Sequence, residues 1–321
     1  MISELPGLFG KNFAIGFFLP AIIIVAGVNL LLVAFGLSNL GDAADPLQDV
    51  TIAALLAWVL AVALMALSRP LVRFLEGYGD HNPLRRLFLA SEQKHFTDHV
   101  APLLKLANDI DAARAAGQPE PAAGADFSGK LSAAASRYPD RIEFVMPTRL
   151  GNIMRAFEVY PRVVYELESI LAWPRLMMIV PEAARKQVDD SRAVVDFAIN
   201  LLVAGVVILA VYLVLALYLQ EWPALWVPPS ALLACIGAWH LIQQSALQWG
   251  EEVKAVFDLY REALAGQVGL DLPLDSAQET VMWRALSRMM VFRSRSAYAA
   301  LRPFRTRPKP AAGSAADPDA P

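Results

Sequence analysis

Apolar positions in this chain gather into long uncharged runs rather than short alternating stretches. Phe197 to Gln220 spans twenty-four residues without a charge. As a helix it would reach about 36 Å, enough to cross a hydrocarbon core of about 30 Å with some tilt. A second uncharged run, Trp222 to Gly250, follows a short Trp/Pro turn, while Phe13 to Gly36 opens the chain and Val50 to Ser68 comes next. The pattern predicts an all-α membrane protein with four transmembrane helices and a mostly helical cytoplasmic insert between helices 2 and 3.

In chain order, residues 1–12 form an interfacial lead-in with Leu5, Leu8 and Phe9 beside Lys11, and residues 13–69 hold the first two spans. The insert occupies 70–194 and the second pair of spans 195–250. A helical stalk and basic amphipathic segment follow over 251–309, then a disordered tail over 310–321. The first run is twice as long as a signal peptide's apolar core and no small-residue cleavage site follows, so it reads as a retained anchor. Pro20 inside it frees a helix carbonyl that a neighbouring helix can satisfy in lipid, and a kink is expected there. In span two, Ala53, Ala57 and Ala61 make a small-residue ridge for close helix approach.

Within the insert, Asn82-Pro83 predicts a capped helix start, with Leu89, Phe96, Val100, Leu103 and Ile110 at helical steps and a kink at Pro102. Gly117 to Gly129 predicts a loop, and Ile142 to Met146 a brief strand. Further helices are expected from Pro147 to Tyr160 and then up to Trp173, with breaks at the following prolines. Another should run unbroken from Pro181 into the span at Phe197. The stripe past Trp249 through Val253, Val256, Phe257, Tyr260 and Leu264 predicts a stalk paired with the Pro181 to Asp196 helix.

Composition supports a bilayer: 56% of residues are hydrophobic, 18% are charged and mean hydropathy is +0.41, against about a quarter charged in soluble domains. The single cysteine, Cys235, excludes a disulfide framework. Of the 28 Lys and Arg residues, one lies in the lead-in, seventeen between Arg69 and Arg192, and ten after Gly250. The turns after spans one and three have none, which predicts both termini and the insert on the cytoplasmic side of a bacterial inner membrane.

Three constellations carry candidate chemistry. Glu92, His95 and His99 share a helix face, and a Glu-x-x-His step supplies metal ligands in carboxylate-bridged bundles; no second step completes a site, so a solvated polar face is the plainer reading. His240, Gln244 and Gln248, with Asn200 on span three, form an intramembrane polar stripe, predicted to face the bundle interior with His240 near the midplane. Interhelical hydrogen bonding is its ordinary use and a conduction or proton path the sharper one. Arg284, Arg288, Arg293, Arg295, Arg302, Arg305, Arg307 and Lys309 run without an acid between them, set beside Trp283, Leu286, Met289 and Met290. Contact with anionic lipid is the expected use, and no recognised nucleic-acid fold accompanies the charge. Arg149, Arg155, Arg162 and Arg175 would be an anion site only if they converged. Acyl-transfer, zincin, nucleotide-loop and dinucleotide motifs are absent from the sequence, and no cofactor is predicted.

Residues Pro147 to Asn152, Trp173-Pro174-Arg175-Leu176 and Phe257-Asp258-Leu259-Tyr260-Arg261, with the Arg69-Pro70 to Glu76-Gly77-Tyr78 exit from span two, resemble a family of uncharacterised bacterial four-span membrane proteins. The resemblance covers most of the chain except the loop near Gly117 and the tail. It implies topology and no activity. The leading expectation is a non-enzymatic inner-membrane protein with a cytoplasmic interaction or regulatory module, acting as a homo-oligomer or with another membrane protein. A channel or transporter subunit using the polar stripe, and a metalloenzyme using Glu92, His95 and His99, are the alternatives.

Overall fold

The computed structural model describes residues 10–37 and 46–306. Most of the lead-in, the turn from 38 to 45, Arg307, Lys309 and the expected disordered tail lie outside the described residues. Among the described residues every regular element is helical, with one isolated antiparallel bridge between Leu270 and Arg305. The longer helices are α1 (Lys11–Ala34), α2 (Pro46–Glu76), α3 (Pro83–His95), α4 (Ala101–Ala115), α5 (Phe127–Arg137), α6 (Arg149–Tyr165), α7 (Ser169–Ile179), α8 (Glu182–Leu219), α9 (Val227–Gln267) and α10 (Ser276–Phe292). They divide between two compact units. The first comprises residues up to 157 with 182–253, and the second 158–181 with the chain from 254 onward.

Among the described residues three helices are long and apolar enough to cross a membrane: α1, α2 and α8. Helix α9 is long but carries His240, Gln243, Gln244 and Gln248, and does not reach the same apolarity. Ahead of α9 the Tyr212 hydroxyl on α8 donates to Pro223 O at 2.9 Å, so the connecting loop folds back along the last turns of α8.

Small residues set the contacts in the first unit. Phe13, Phe17, Ala21 and Ile24 of α1 form one buried cluster with Ala61 and Leu64 of α2 and Ala204 of α8. Ala57 and Ala61 of the predicted ridge are buried, and Ala53 is half-buried at its edge. Leu31 and Phe35 pack with Tyr212, Ala216 and Val227 in a second cluster. The opposite faces stay open: Leu55, Leu56 and Val59 of α2 and Val214 and Leu217 of α8 are each more than half exposed.

Pro20 explains the most specific contact. A proline has no N–H for the carbonyl four residues back, here Gly16, and the turn just before it, Ala14–Phe18, is a π-helix. Asn200 of α8, 2% exposed, donates Nδ2 to Gly16 O at 2.8 Å. The neighbouring helix thus supplies the hydrogen bond the proline removes.

Four local expectations change. Ile142–Phe144 is a 3₁₀ turn rather than a strand; its bonds are local, from Phe144 N to Arg141 O and Val145 N to Ile142 O. Helix α2 continues past Arg69-Pro70 to Glu76. Helix α6 passes through Pro161 and stops at Glu166, whose φ of 62° is left-handed, with Leu167 N reaching back to Pro161 O. Helix α7 likewise continues through Pro174. A proline costs a helix one donor and some strain, and packing decides whether the helix ends. The cap at Asn82 and the unbroken α8 agree with the sequence reading, and a π turn at Phe96–Val100 precedes Pro102.

The proline and the asparagine should be energetically coupled. Asn200→Ala is expected to cost about 1–2 kcal/mol in detergent unfolding and clearly less when Pro20→Ala has restored a donor to Gly16 O. Strictly additive effects in that double-mutant cycle would refute the pairing.

Candidate functional site

The sequence motifs meet in pairs. In the first unit the exit from α2 packs against the start of α6. Thr148 Oγ1 donates to Leu75 O at 2.8 Å and accepts from Gly151 N at 2.9 Å, capping α6. Gly77, at φ +86°, faces the Pro147 ring, where an added Cβ would come within 2.0 Å of Cγ. A Cβ on Gly151 would stand 2.4 Å from Glu76 O, so both glycines are needed for the approach.

Asn152, fully buried, closes this joint. Its Oδ1 accepts from Met146 N at 2.7 Å, and its Nδ2 donates to Met146 O and Glu92 Oε2, both at 3.0 Å. Glu92 Oε2 also accepts from the Tyr138 hydroxyl at 2.8 Å. Burial, then this bond to Glu92, holds the Tyr138 phenol above its ordinary range. Nearby, Arg155 donates to the Tyr78 hydroxyl at 2.5 Å, and the Arg73 and Arg155 guanidiniums lie 5.1 and 5.5 Å from the Tyr78 ring.

Glu92 therefore anchors α3 to α6 rather than presenting a ligand beside the two histidines. His95 and His99 are exposed and stack on each other at 4.6 Å. Among the described residues no group of three His, Cys, Asp or Glu side chains could hold a metal ion.

In the second unit Trp173 packs on Phe257 at 5.8 Å beside fully buried Leu176. Asp258 accepts from the hydroxyls of Tyr160, at 3.0 Å to each oxygen, and of Tyr165 at 2.7 Å. Arg261 lies over the Tyr165 ring at 4.9 Å and its Nε meets Glu279 Oε1 at 2.9 Å, which also accepts from Trp283 Nε1 at 3.0 Å. The anchoring roles of Asp258 and of Tyr160 and Tyr165 escaped the sequence reading; the only signal was the Phe-Asp-Leu-Tyr-Arg motif itself.

The polar stripe does not converge. Asn200 is buried against Gly16, whereas His240, Gln244 and Gln248 lie on the exposed face of α9. The registry of α8 and α9 sets their level. Cys235 Sγ approaches Leu202 O at 4.0 Å, the Arg192 guanidinium lies 5.6 Å from the Trp249 ring, and Ser191 bonds Glu252. Helices α8 and α9 are thus antiparallel neighbours, and Gln244 is level with Asp196, the last charge of α8. His240 sits about one turn further along α9, away from the charged end of α8. The contact at Ser191 and Glu252 places the first residues of the stalk beside α8.

At this level a groove opens that sequence reading missed. Lys11, Asn12 and Ile15 of α1, residues from Ala183 to Val194 of α8, and Gln248 and Glu252 of α9 line a cavity of about 480 Å³. Lys11 Nζ meets Asp190 Oδ2 at 3.3 Å, and the Ser191 hydroxyl donates to Glu252 Oε2 at 2.5 Å.

Of the basic segment, Arg284 pairs with Glu166 at 3.1 Å, while Arg288, Arg293, Arg295 and Arg302 are exposed and make no ion pair among the described residues. Arg305 covers the Tyr298 ring at 4.2 Å and shares a groove with Arg175, Met289 and Met290. Arg155 belongs to the Tyr78 joint of the first unit and Arg175 to this groove of the second. Compared with protein-family models, with curated proteins and with solved structures, the chain matches none.

Tyr165 provides a test of the Asp258 anchor. Burial, then its bond to Asp258, raises its pKa above the ordinary 10.0, so the fold favours the protonated phenol. This stabilisation is complete below pH 10 and is lost as pH rises through the folded value. Tyr165→Phe should cost about 1 kcal/mol at neutral pH and flatten the alkaline fall in melting temperature. An unchanged alkaline profile would remove Tyr165 from the anchor.

Proposed function

We propose that the chain is a non-enzymatic integral protein of a bacterial inner membrane, crossing it four times with both termini and the insert in the cytoplasm. Its helices outside the bilayer serve as an interaction or regulatory module within a homo-oligomer or with another membrane protein. The observation that carries the topology is the distribution of charge: Lys and Arg are missing from both short turns expected outside and gathered on the other side. Three span-length apolar helices support the membrane assignment, and α9, an antiparallel neighbour of α8, is taken as the fourth crossing. The family suggested by the motifs belongs to the same proposal.

Exposed apolar side chains motivate the interaction role. Leu259, Val281 and Phe292 of the second unit are 73%, 52% and 72% exposed, and a partner surface is the usual reason for such exposure when it is contiguous. The unpaired arginines beside Phe292 favour contact with anionic lipid. Two carboxylates, Glu92 and Asp258, already accept hydrogen bonds from buried or half-buried neighbours, which favours a structural role for both. The channel reading draws no support from a stripe whose α9 members are exposed and whose Asn200 is bonded to Gly16 O.

Single cysteines at Ala44 and Ala122, in a background with Cys235→Ser, test the topology. A membrane-impermeant maleimide added to intact cells should label the first and not the second. Equal labelling of both would overturn the proposed orientation.

A further inference from the structure

The groove between α1, α8 and α9 lies where these helices pass from charged to apolar sequence, and its lining is graded in the same sense. Along α1 it runs from Lys11 to Ile15, and along α8 from Lys186, Gln187 and Asp190 to Ala193 and Val194. Val194 is 41% exposed, so the apolar end remains open. The volume, about 480 Å³, falls within the roughly 300–1,000 Å³ of small-molecule pockets.

Its charges divide into a satisfied pair and an open pair. Lys11 and Asp190 neutralise one another at 3.3 Å. Lys186 makes no ion pair among the described residues, and Glu252 makes none either, holding only the Ser191 hydroxyl. One cation and one anion thus remain to face a ligand, at the edge of an apolar stretch. A purely anionic head would leave Glu252 opposed to it, and a purely apolar ligand would bury both charges unpaired.

We propose that this groove binds one zwitterionic phospholipid of the surrounding bilayer, with its phosphate on Lys186, its head-group ammonium on Glu252 and an acyl chain along Ile15 and Val194. Ethanolamine is the preferred head, because a primary ammonium donates hydrogen bonds to a carboxylate and a trimethylammonium does not. Gln248, at the end of the polar stripe nearest Glu252, adds an amide to the same lining. The inference rests on the membrane reading above and adds a ligand to it.

The test uses the full chain in nanodiscs containing equal amounts of phosphatidylethanolamine, phosphatidylcholine and phosphatidylglycerol. The protein is released into mild detergent and its retained lipids are weighed by native mass spectrometry. The expected result is one phosphatidylethanolamine per protomer, enriched severalfold over the other two. Glu252→Gln, which can still accept from Ser191, should abolish the preference over phosphatidylcholine while phospholipid is retained. Lys186→Glu, at an exposed position, should lower retention of all three. Excess soluble glycerophosphoethanolamine should not displace the adduct, and displacement would identify a free phosphodiester as the occupant and overturn the lipid assignment. Adducts in the bulk proportion, preference for phosphatidylglycerol, or an unchanged preference in Glu252→Gln would each overturn it too. A chain that stays in solution without detergent would instead defeat the membrane reading itself.

Discussion

A carbonyl without its helical donor is costly wherever water is scarce, and Pro20 creates one at Gly16. The amide of Asn200 answers it from α8, 184 positions away in the chain. This contact fixes α1 against α8 at the depth where both become continuously apolar. The residues around it are small or aromatic, Ala21, Ala61 and Ala204 with Phe13 and Phe17, so the three helices approach closely about that point. Gly27 extends the approach further along: an added Cβ would lie 2.6 Å from Ile208 Cδ1.

From this depth outward the helices expose aliphatic side chains, and from it inward they carry charge. Ser68 on α2 donates to Asp196 on α8 at 3.1 Å, so α2 and α8 share the same level of polar contact. The groove opens at the adjoining charged turns, where Lys11 meets Asp190 and Ser191 meets Glu252. Each unit also has a carboxylate anchor of its own. Glu92 gathers Tyr138 and Asn152 in the first, and Asp258 gathers Tyr160 and Tyr165 in the second. Neutral donors on a carboxylate hold helices in place without the long side chains of surface ion pairs, which contribute little when exposed.

The long helices were legible because apolar run length and the absence of charge report directly on the environment a helix can occupy. Ala57 and Ala61 were legible for the same reason: spacing by four places them on one face. Helix ends at Pro70, Pro161 and Pro174 were misread because a local rule about proline competes with packing that the local sequence does not contain. The strand expected at Ile142 to Met146 failed because a strand needs a partner, whereas Asn152 supplies Met146 with a side-chain bond. The polar stripe was correctly grouped on one face of its helix, but helical spacing does not say which way that face turns. The convergence of Lys11, Asp190 and Glu252, far apart in the chain, depends on the antiparallel registry of α8 and α9 and left no local signature.

The membrane reading requires a cover of lipid hydrocarbon over the exposed aliphatic faces of α1, α2 and α8. Its most direct measurement is fractionation of cells expressing the full chain, with an alkaline carbonate wash followed by sedimentation with and without detergent. The protein should remain in the washed membrane pellet and become a defined particle only after detergent is added. A compact particle released by carbonate alone and stable in plain buffer would contradict the account.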